Sequence, residues 1–293
     1  MRIFNKIGAN LHLFMAVPAI LLFGVFFLYP LMQGIGISLT DSNGVTTPNF
    51  IGLQNFFDFF QDDRARNDVM ITVYFALGSA PLLNLFGLLY ALLLDRKMPG
   101  RGIVRAIVYL PAVISPLIMG YIWYFILQPG RGYLPHLLNK LGFGNLDVNW
   151  LGESSSALVV LILVNVWQYV GMTMIVYLAG LQSIPPDLYE AATIDGADKR
   201  SSLWYITLPL LYPSIKINVV TNIIGSLSVF EIIVALTDGG PGYSTESLSI
   251  YILRMLYGSF TGYSTAVALI LFIIIIIPVF AFLRLTRKSE YEL

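Results

Sequence analysis

Gln182-Ser183-Ile184-Pro185-Pro186-Asp187-Leu188-Tyr189-Glu190-Ala191-Ala192-Thr193-Ile194-Asp195-Gly196-Ala197-Asp198, running on to Ile206-Thr207-Leu208-Pro209, is a patterned polar segment between two long apolar stretches. Proline suits the first turn of a helix, where no backbone donor is needed, so Ser183 followed by Pro185 and Pro186 predicts a helix start. Asp187 and Glu190 add negative charge near the positive end of that helix's dipole. Gly196 supplies a left-handed stop, and Asp198 is placed to cap a second helix running toward Pro209. On the first helix Leu188, Ala191, Ala192 and Asp195 share a face, with small alanines that would let another body approach the backbone. Two readings of this helix-turn-helix stand: it docks into a cleft on a partner protein, or it rests on lipid. Its polarity favours the first, since Lys199 and Arg200 are its only cations.

Outward from this segment the chain is apolar. Of its 293 residues 57% are hydrophobic and 12% charged, against about 25% charged in a soluble domain. Leu13 to Ile37 carries no Asp, Glu, Lys or Arg and exceeds the roughly 20 residues that cross a hydrocarbon core. Arg2 and Lys6 precede it as in a secretory signal, but it is too long for a signal core and contains Pro18 and Pro30, so it reads as a retained span. The expected fold is all-α, a single polytopic domain over residues 1–293. Its six spans fall near 13–37, 71–94, 104–127, 157–180, 210–236 and 263–284, with the polar loop at 183–209. Six crossings put both termini on one side. Arg2, Lys6, Arg96, Lys97, Arg101, Arg105, Lys199, Arg200, Arg284, Arg287 and Lys288 share that side; Arg64, Arg66, Arg131, Lys140 and Arg254 lie opposite, so the termini are expected in the cytoplasm. The outer connections, 38–70, 128–156 and 237–262, are long and irregular, and Asn55 to Phe60 suits a short helix at the headgroups, whether for simple anchoring or as part of a built surface.

Several chemistries drop out. Lys plus Arg and Asp plus Glu are 17 each, so there is no cationic excess for nucleic acid. Cysteine is absent, which removes disulfides, iron–sulfur clusters and thiol catalysis. His12 and His136 sit in unrelated segments, so no metal is expected. Polar groups inside spans are costly unless they face a cavity or a neighbouring helix. On the fourth span Asn165, Gln168, Tyr169 and Met172 share a face; on the fifth, Asn218, Asn222 and Ser226 recur every four residues. Amides beside a ring suit a sugar, which presents hydroxyl edges and an apolar face, but the same groups would also serve as hydrogen bonds between helices. Glu231 is the one carboxylate well inside a span; it either pairs with another subunit or lines an outer cavity.

Glu190, Ala191, Ala192, three residues, Gly196, nine residues, Ile206, one residue, Leu208 and Pro209 resemble, without departure, the loop motif of binding-protein-dependent ABC importer permeases. The resemblance extends over nearly the whole chain and points to the carbohydrate branch, that of the maltose and glycerol-phosphate permeases. Phe50 to Phe56 is similar to its first outer loop, Gln128-Pro129-Gly130-Arg131-Gly132 to the turn after its third core helix, and Thr237-Asp238-Gly239-Gly240-Pro241 to the turn after its fifth. These features are more like the first of its two paired permeases, without the large extra outer domain and helices of the best-known maltose permease.

The resemblance implies a multi-pass protein of the bacterial inner or plasma membrane, working by alternating access in a heterotetrameric core. Its partners would be a second, related permease, two ATP-binding cassette subunits, an extracytoplasmic solute-binding protein, the lipid bilayer and a sugar, with no nucleic acid. Glu190, Ala191, Ala192, Asp195 and Gly196 would couple to the ATPase cleft, and Asn165, Tyr169, Asn222 and Ser226 fall near sugar-binding positions. Catalysis is not expected here: the chain has no Gly-x-x-x-x-Gly-Lys-Ser/Thr loop, so ATP and magnesium would sit on the partners, and no cofactor binds this chain. Glycerol-phosphate or another polar solute is the alternative cargo. An ion-coupled secondary transporter would not need the Glu190 to Pro209 loop. A membrane enzyme would need a converging acid, base or nucleophile cluster that the sequence lacks.

Overall fold

The computed structural model describes residues 16–96, 98–128, 131–142 and 149–286. Arg2, Lys6, His12, Lys97, Pro129, Gly130, Arg287 and Lys288, with the start of the first span, lie outside these residues. The described chain is helical: α1 (Ala16–Ser38), α2 (Gln54–Gln61), α3 (Asp63–Leu94), α4 (Arg101–Val113), α5 (Pro116–Leu127), α6 (Tyr133–Lys140), α7 (Ser154–Ser183), α8 (Pro186–Ile194), α9 (Lys199–Ser202), α10 (Leu208–Leu210), α11 (Tyr212–Leu227), α12 (Glu231–Leu236), α13 (Leu248–Tyr257) and α14 (Thr261–Leu285).

Among the described residues four helices, α1, α3, α7 and α14, are long and apolar enough to cross a bilayer, and α4 with α5 makes up to five if that bent pair is one span. Two expected spans are therefore not continuous helices. The stretch expected at 104–127 turns by 97° between α4 and α5. Pro116 explains the turn, because its ring disfavours helical geometry at the residue before it, and Ser115 is extended at φ −51°, ψ 133°. The stretch expected at 210–236 splits into α11, of 16 residues, and the short α12. Ser228 leaves the helix at φ −97°, ψ 19° and Phe230 at φ −143°, ψ −69°. Hydropathy sums side chains and is blind to such a break. The connections expected to be irregular also carry structure: α3 begins at Asp63 rather than near 71, and α6 and α13 lie where loops were expected.

By its contacts the chain forms two compact units. One holds the residues up to Asp62 together with Ile252–Ile270; the other holds Asp63–Tyr251 and the residues from Leu271 on. In the first unit α1 exposes apolar side chains along its length, including Phe26 at 75%, a surface whose proper solvent is hydrocarbon. There α2 is the short aromatic helix expected near Asn55: Asn55 and Phe59 are buried while Phe57 and Phe60 are exposed. The Asn55 amide donates to the carbonyls of Ser38 (2.8 Å) and Thr40 (2.9 Å), closing the loop between α1 and α2.

In the second unit α7 is the central element, packed along α3, α4 and α11. Gly171 makes the α4 crossing close, since a Cβ there would overlap the backbone of Val108 and Tyr109. Two apolar clusters hold the unit. One gathers Phe75, Leu161, Val164, Ile232, Ile233 and Leu236, so α12 is seated in the interior. The other gathers Ala91, Leu94, Tyr177, Leu181, Ile184 and Leu211 where α3 and α7 end and α11 begins.

A broken helix frees carbonyls that hydrocarbon cannot solvate. Side chains answer them. Gln168 Nε2 donates to the Ile114 carbonyl at the α4–α5 turn (3.1 Å), and Ser247 Oγ donates to Val229 at the α11–α12 break (2.8 Å). The segment around Ser247 is itself fastened to the start of α3. Arg64 grips the buried Glu246 carboxylate through Nε (2.8 Å) and Nη2 (3.0 Å) and lies 3.7 Å over the Tyr243 ring, and Leu248 N donates to Thr72 Oγ1 (2.9 Å).

Candidate functional site

Asn165, Tyr169, Asn222 and Ser226, picked out by the resemblance, line one cavity of about 430 Å³ in the second unit. Helix α7 supplies one wall and α11 the facing wall; the break from Ser228 to Phe230 and the first turn of α12 close an end, with Leu83 and Pro116 at the edges. The volume lies in the roughly 300–1,000 Å³ range of small-molecule sites. Met172 is exposed, Tyr169 half-buried, and Asn165 and Ser226 buried, so ring, thioether and amide groups share a rim above deeper polar atoms.

The two readings of the polar residues divide between positions. Asn218 lines the cavity but is buried, its amide donating to the Thr173 carbonyl (3.1 Å), so it joins α11 to α7. Such bonds contribute about 0.6 kcal/mol each in membranes. Gln168 was expected on the shared face, but it is fully buried and turned to Ile114, away from the cavity. Asn222 does both: its amide meets Thr173 Oγ1 (3.3 Å) while the residue lines the wall. Ser226 belongs to the wall, but its Oγ is buried there and makes no hydrogen bond within the chain. Glu231 is exposed and lines the cavity.

Thr173, Thr221 and Phe230 line the site as well and were not singled out from sequence. Thr173 was findable, lying four residues beyond Tyr169 on the same face. Phe230 was not, because its position depends on the break beside it.

The polar loop follows α7 directly. Pro186 opens α8 as expected, but Ser183 does not start it: Ser183 is the last residue of α7, its hydroxyl donating back to Gly180 (2.7 Å). Gly196 has φ +82°, the left-handed stop. Around it the amides of Gly196 and Ala197 donate to Thr193 (3.1 Å) and Ala192 (2.8 Å). Asp198 caps α9, accepting from the Ser201 amide (2.8 Å). The second helix is not regular: α9 passes into a wide π turn at Leu203–Thr207 before α10. Tyr189 and Thr207 bond through their hydroxyls (3.0 Å), tying the two arms together.

Glu190, Ala191, Asp195 and Gly196 are exposed and Ala192 half-buried, beside large exposed apolar groups, Ile194 at 87% and Tyr205 at 82%. The arms are rooted in the apolar cluster through Ile184 and Leu211. From Tyr169 to Ile184 is 15 residues of helix, about 22 Å. The loop is thus continuous through α7 with one cavity wall and through α11 with the other.

The cavity lies between the continuous α7 and the broken α11–α12 segment, and both walls run into an exposed loop. The chain belongs to the family described as the binding-protein-dependent transport system inner membrane component, which matches residues 83–289. It is accordingly a multi-pass inner-membrane protein. It is 36% identical to the multiple sugar-binding transport system permease protein MsmF of Streptococcus mutans, over 94% of this chain and 95% of that one. It is 33% identical to the trehalose/maltose transport system permease protein MalF of Thermococcus litoralis, over 95% and 94%. A crystal structure of a bacterial ABC transporter that imports the acidic polysaccharide alginate contains a chain with a TM-score of 0.82 and 28% identity, covering 98% of this chain and 99% of that one.

Proposed function

We propose that this chain is a permease subunit of an ATP-driven sugar importer and that the cavity between α7 and α11 is its part of the sugar path. The reading is carried by one observation: Asn165, Tyr169, Asn222 and Ser226 converge on a single cavity whose two walls run into the exposed 183–209 loop. Amides, hydroxyls and the rings of Tyr169 and Phe230 match the two faces of a sugar. In this reading an extracytoplasmic binding protein delivers the sugar, and a second, related permease completes the path. Two ATPase subunits hold ATP and magnesium and do the hydrolysis. They engage Glu190, Ala191, Ala192, Asp195 and Gly196. The chain crosses six times, through α1, α3, α4 with α5, α7, α11 with α12, and α14, and its termini are cytoplasmic. The names of MsmF and the Thermococcus permease support a sugar as cargo.

Uptake by single Ala variants tests the path. Asn165→Ala and Tyr169→Ala should lower sugar uptake or alter selectivity while the subunit remains in the membrane; unchanged uptake and selectivity in both would move the site elsewhere. Gly196→Asp tests the loop: it should abolish sugar-stimulated ATP turnover without loss of the subunit, and normal transport by that variant would sink the coupling role.

A further inference from the structure

We infer that the cavity is a charge filter in which Glu231 turns away acidic solutes, so that the cargo is a neutral or amine-bearing sugar rather than a uronate or a sugar phosphate. The inference rests on the sugar-path reading and narrows its substrate class.

Among the described residues the lining contains one acidic side chain, that of Glu231, and neither a lysine nor an arginine. The other polar groups there, Asn165, Asn222, Thr221 and Ser226, are uncharged. An anion moving into this space would leave water and meet a carboxylate that no cation in this chain's described lining offsets. Coulomb repulsion between like charges is strengthened in a narrow, low-dielectric cleft, where one sign of charge sets the local ion concentration. A neutral sugar meets the opposite situation. A carboxylate accepts hydrogen bonds from adjacent hydroxyls, and an ammonium group gains an ion pair. Glu231 is also held firmly. It opens α12, whose Ile232, Ile233 and Leu236 are buried, so its carboxylate is presented by a fixed segment and not by a free loop. The alginate importer that this chain resembles in fold carries an acidic polysaccharide. A shared fold therefore leaves the sign of the cargo open, and the lining residues decide it.

The chain has no cysteine, which allows a direct measurement. Gly225 lines the cavity, and a Cβ there meets nothing within 4 Å, so Gly225→Cys places a thiol in open space near Glu231. In the purified complete transporter, that thiol is labelled with trimethylammonium-ethyl and with sulfonato-ethyl methanethiosulfonate, and the rates are read from the intact mass of this chain. After division by the rates on a free small thiol, the cationic reagent should lead by about tenfold. Glu231→Gln should bring the ratio close to one, and Glu231→Asp should keep it. A ratio near one with Glu231 present, or one unmoved by Gln, overturns the filter. Uptake of the best neutral sugar in a panel, measured after full labelling of Cys-substituted Gly225, separates the underlying reading. Blocked uptake with a ratio of one removes the filter alone. Unaffected uptake with a tenfold ratio removes the sugar path but leaves a cavity that prefers cations.

Discussion

The loop at 183–209 and the cavity between α7 and α11 are both polar regions in an apolar chain, yet they satisfy their polar groups in opposite ways. In the loop every partner is near in sequence: Asp198 serves Ser201, Ala192 serves Ala197, and the farthest bond, Tyr189 to Thr207, spans 18 residues. Around the cavity and the helix breaks the partners are remote: Gln168 answers Ile114 across 54 residues, and Arg64 holds Glu246 across 182. Water is available to the exposed loop and can replace a lost partner. The interior has no such substitute, so a lost partner leaves a bare carbonyl or charge. The loop's geometry is thus cheap to disturb, and the cavity's frame is expensive.

The contrast breaks first, if it breaks, at the Arg64–Glu246 ion pair. Glu246→Ala removes the buried carboxylate partner of Arg64, whose side chain stays partly exposed beside Asp68 and the Tyr243 ring, and should cost about 2–3 kcal/mol, seen as a fall in the melting temperature of the purified transporter or in its abundance in the membrane. Adding Arg64→Ala should recover part of that loss; a Glu246→Ala effect within the spread of surface substitutions would erase the distinction. Gln168→Leu keeps the bulk and removes the donor to Ile114, and should cost about 1–3 kcal/mol by the same melting measurement.

Effects in the loop should be smaller and local. Gly196→Ala puts a Cβ on a residue at φ +82°, a strain of about 1–2 kcal/mol. Amide exchange should quicken through 192–198 while the melting temperature barely moves; protection that is unchanged there would show that the left-handed stop is dispensable. The smallest effect belongs to the Asp198 cap. Hydrogen bonds from the Ser201 hydroxyl and amide hold its carboxyl below the ordinary 3.8. A depressed value means the cap's contribution is complete above pH 3.8 and is lost as pH falls through the lower, folded value. Protection of the Ser201 amide should therefore be flat from pH 5 to 8, a range that rests on both ends lying well above a carboxylate's titration. A loss within that range would reassign the cap.

The same difference in reach explains what was legible. Pro186 at a first helical turn, Gly196 as a stop and Asp198 as a cap were readable because each acts on backbone within a few residues of itself. The shared face of Asn165 and Tyr169 was readable from helical spacing. That Gln168 would leave the face was not, because its partner is a carbonyl exposed by a bend in another helix. The bend had a visible cause in Pro116, but hydropathy averaged over 104–127 concealed it. The break at Ser228 to Phe230 had no such marker; it is stabilised by Ser247 and by the burial of Ile232 and Ile233 against Phe75 and Leu161.

By itself, then, the sequence determined that this chain is helical, lives in lipid and presents a loop of defined turn and caps. These follow from composition, helical period and the local chemistry of proline, glycine and aspartate. Only the tertiary structure decided which polar side chains face the cavity and which tie helices together, where two apolar stretches break, and that Glu231 opens into the space between α7 and α11. Those outcomes depend on carbonyls and charges far apart in the chain finding each other where no water can take their place.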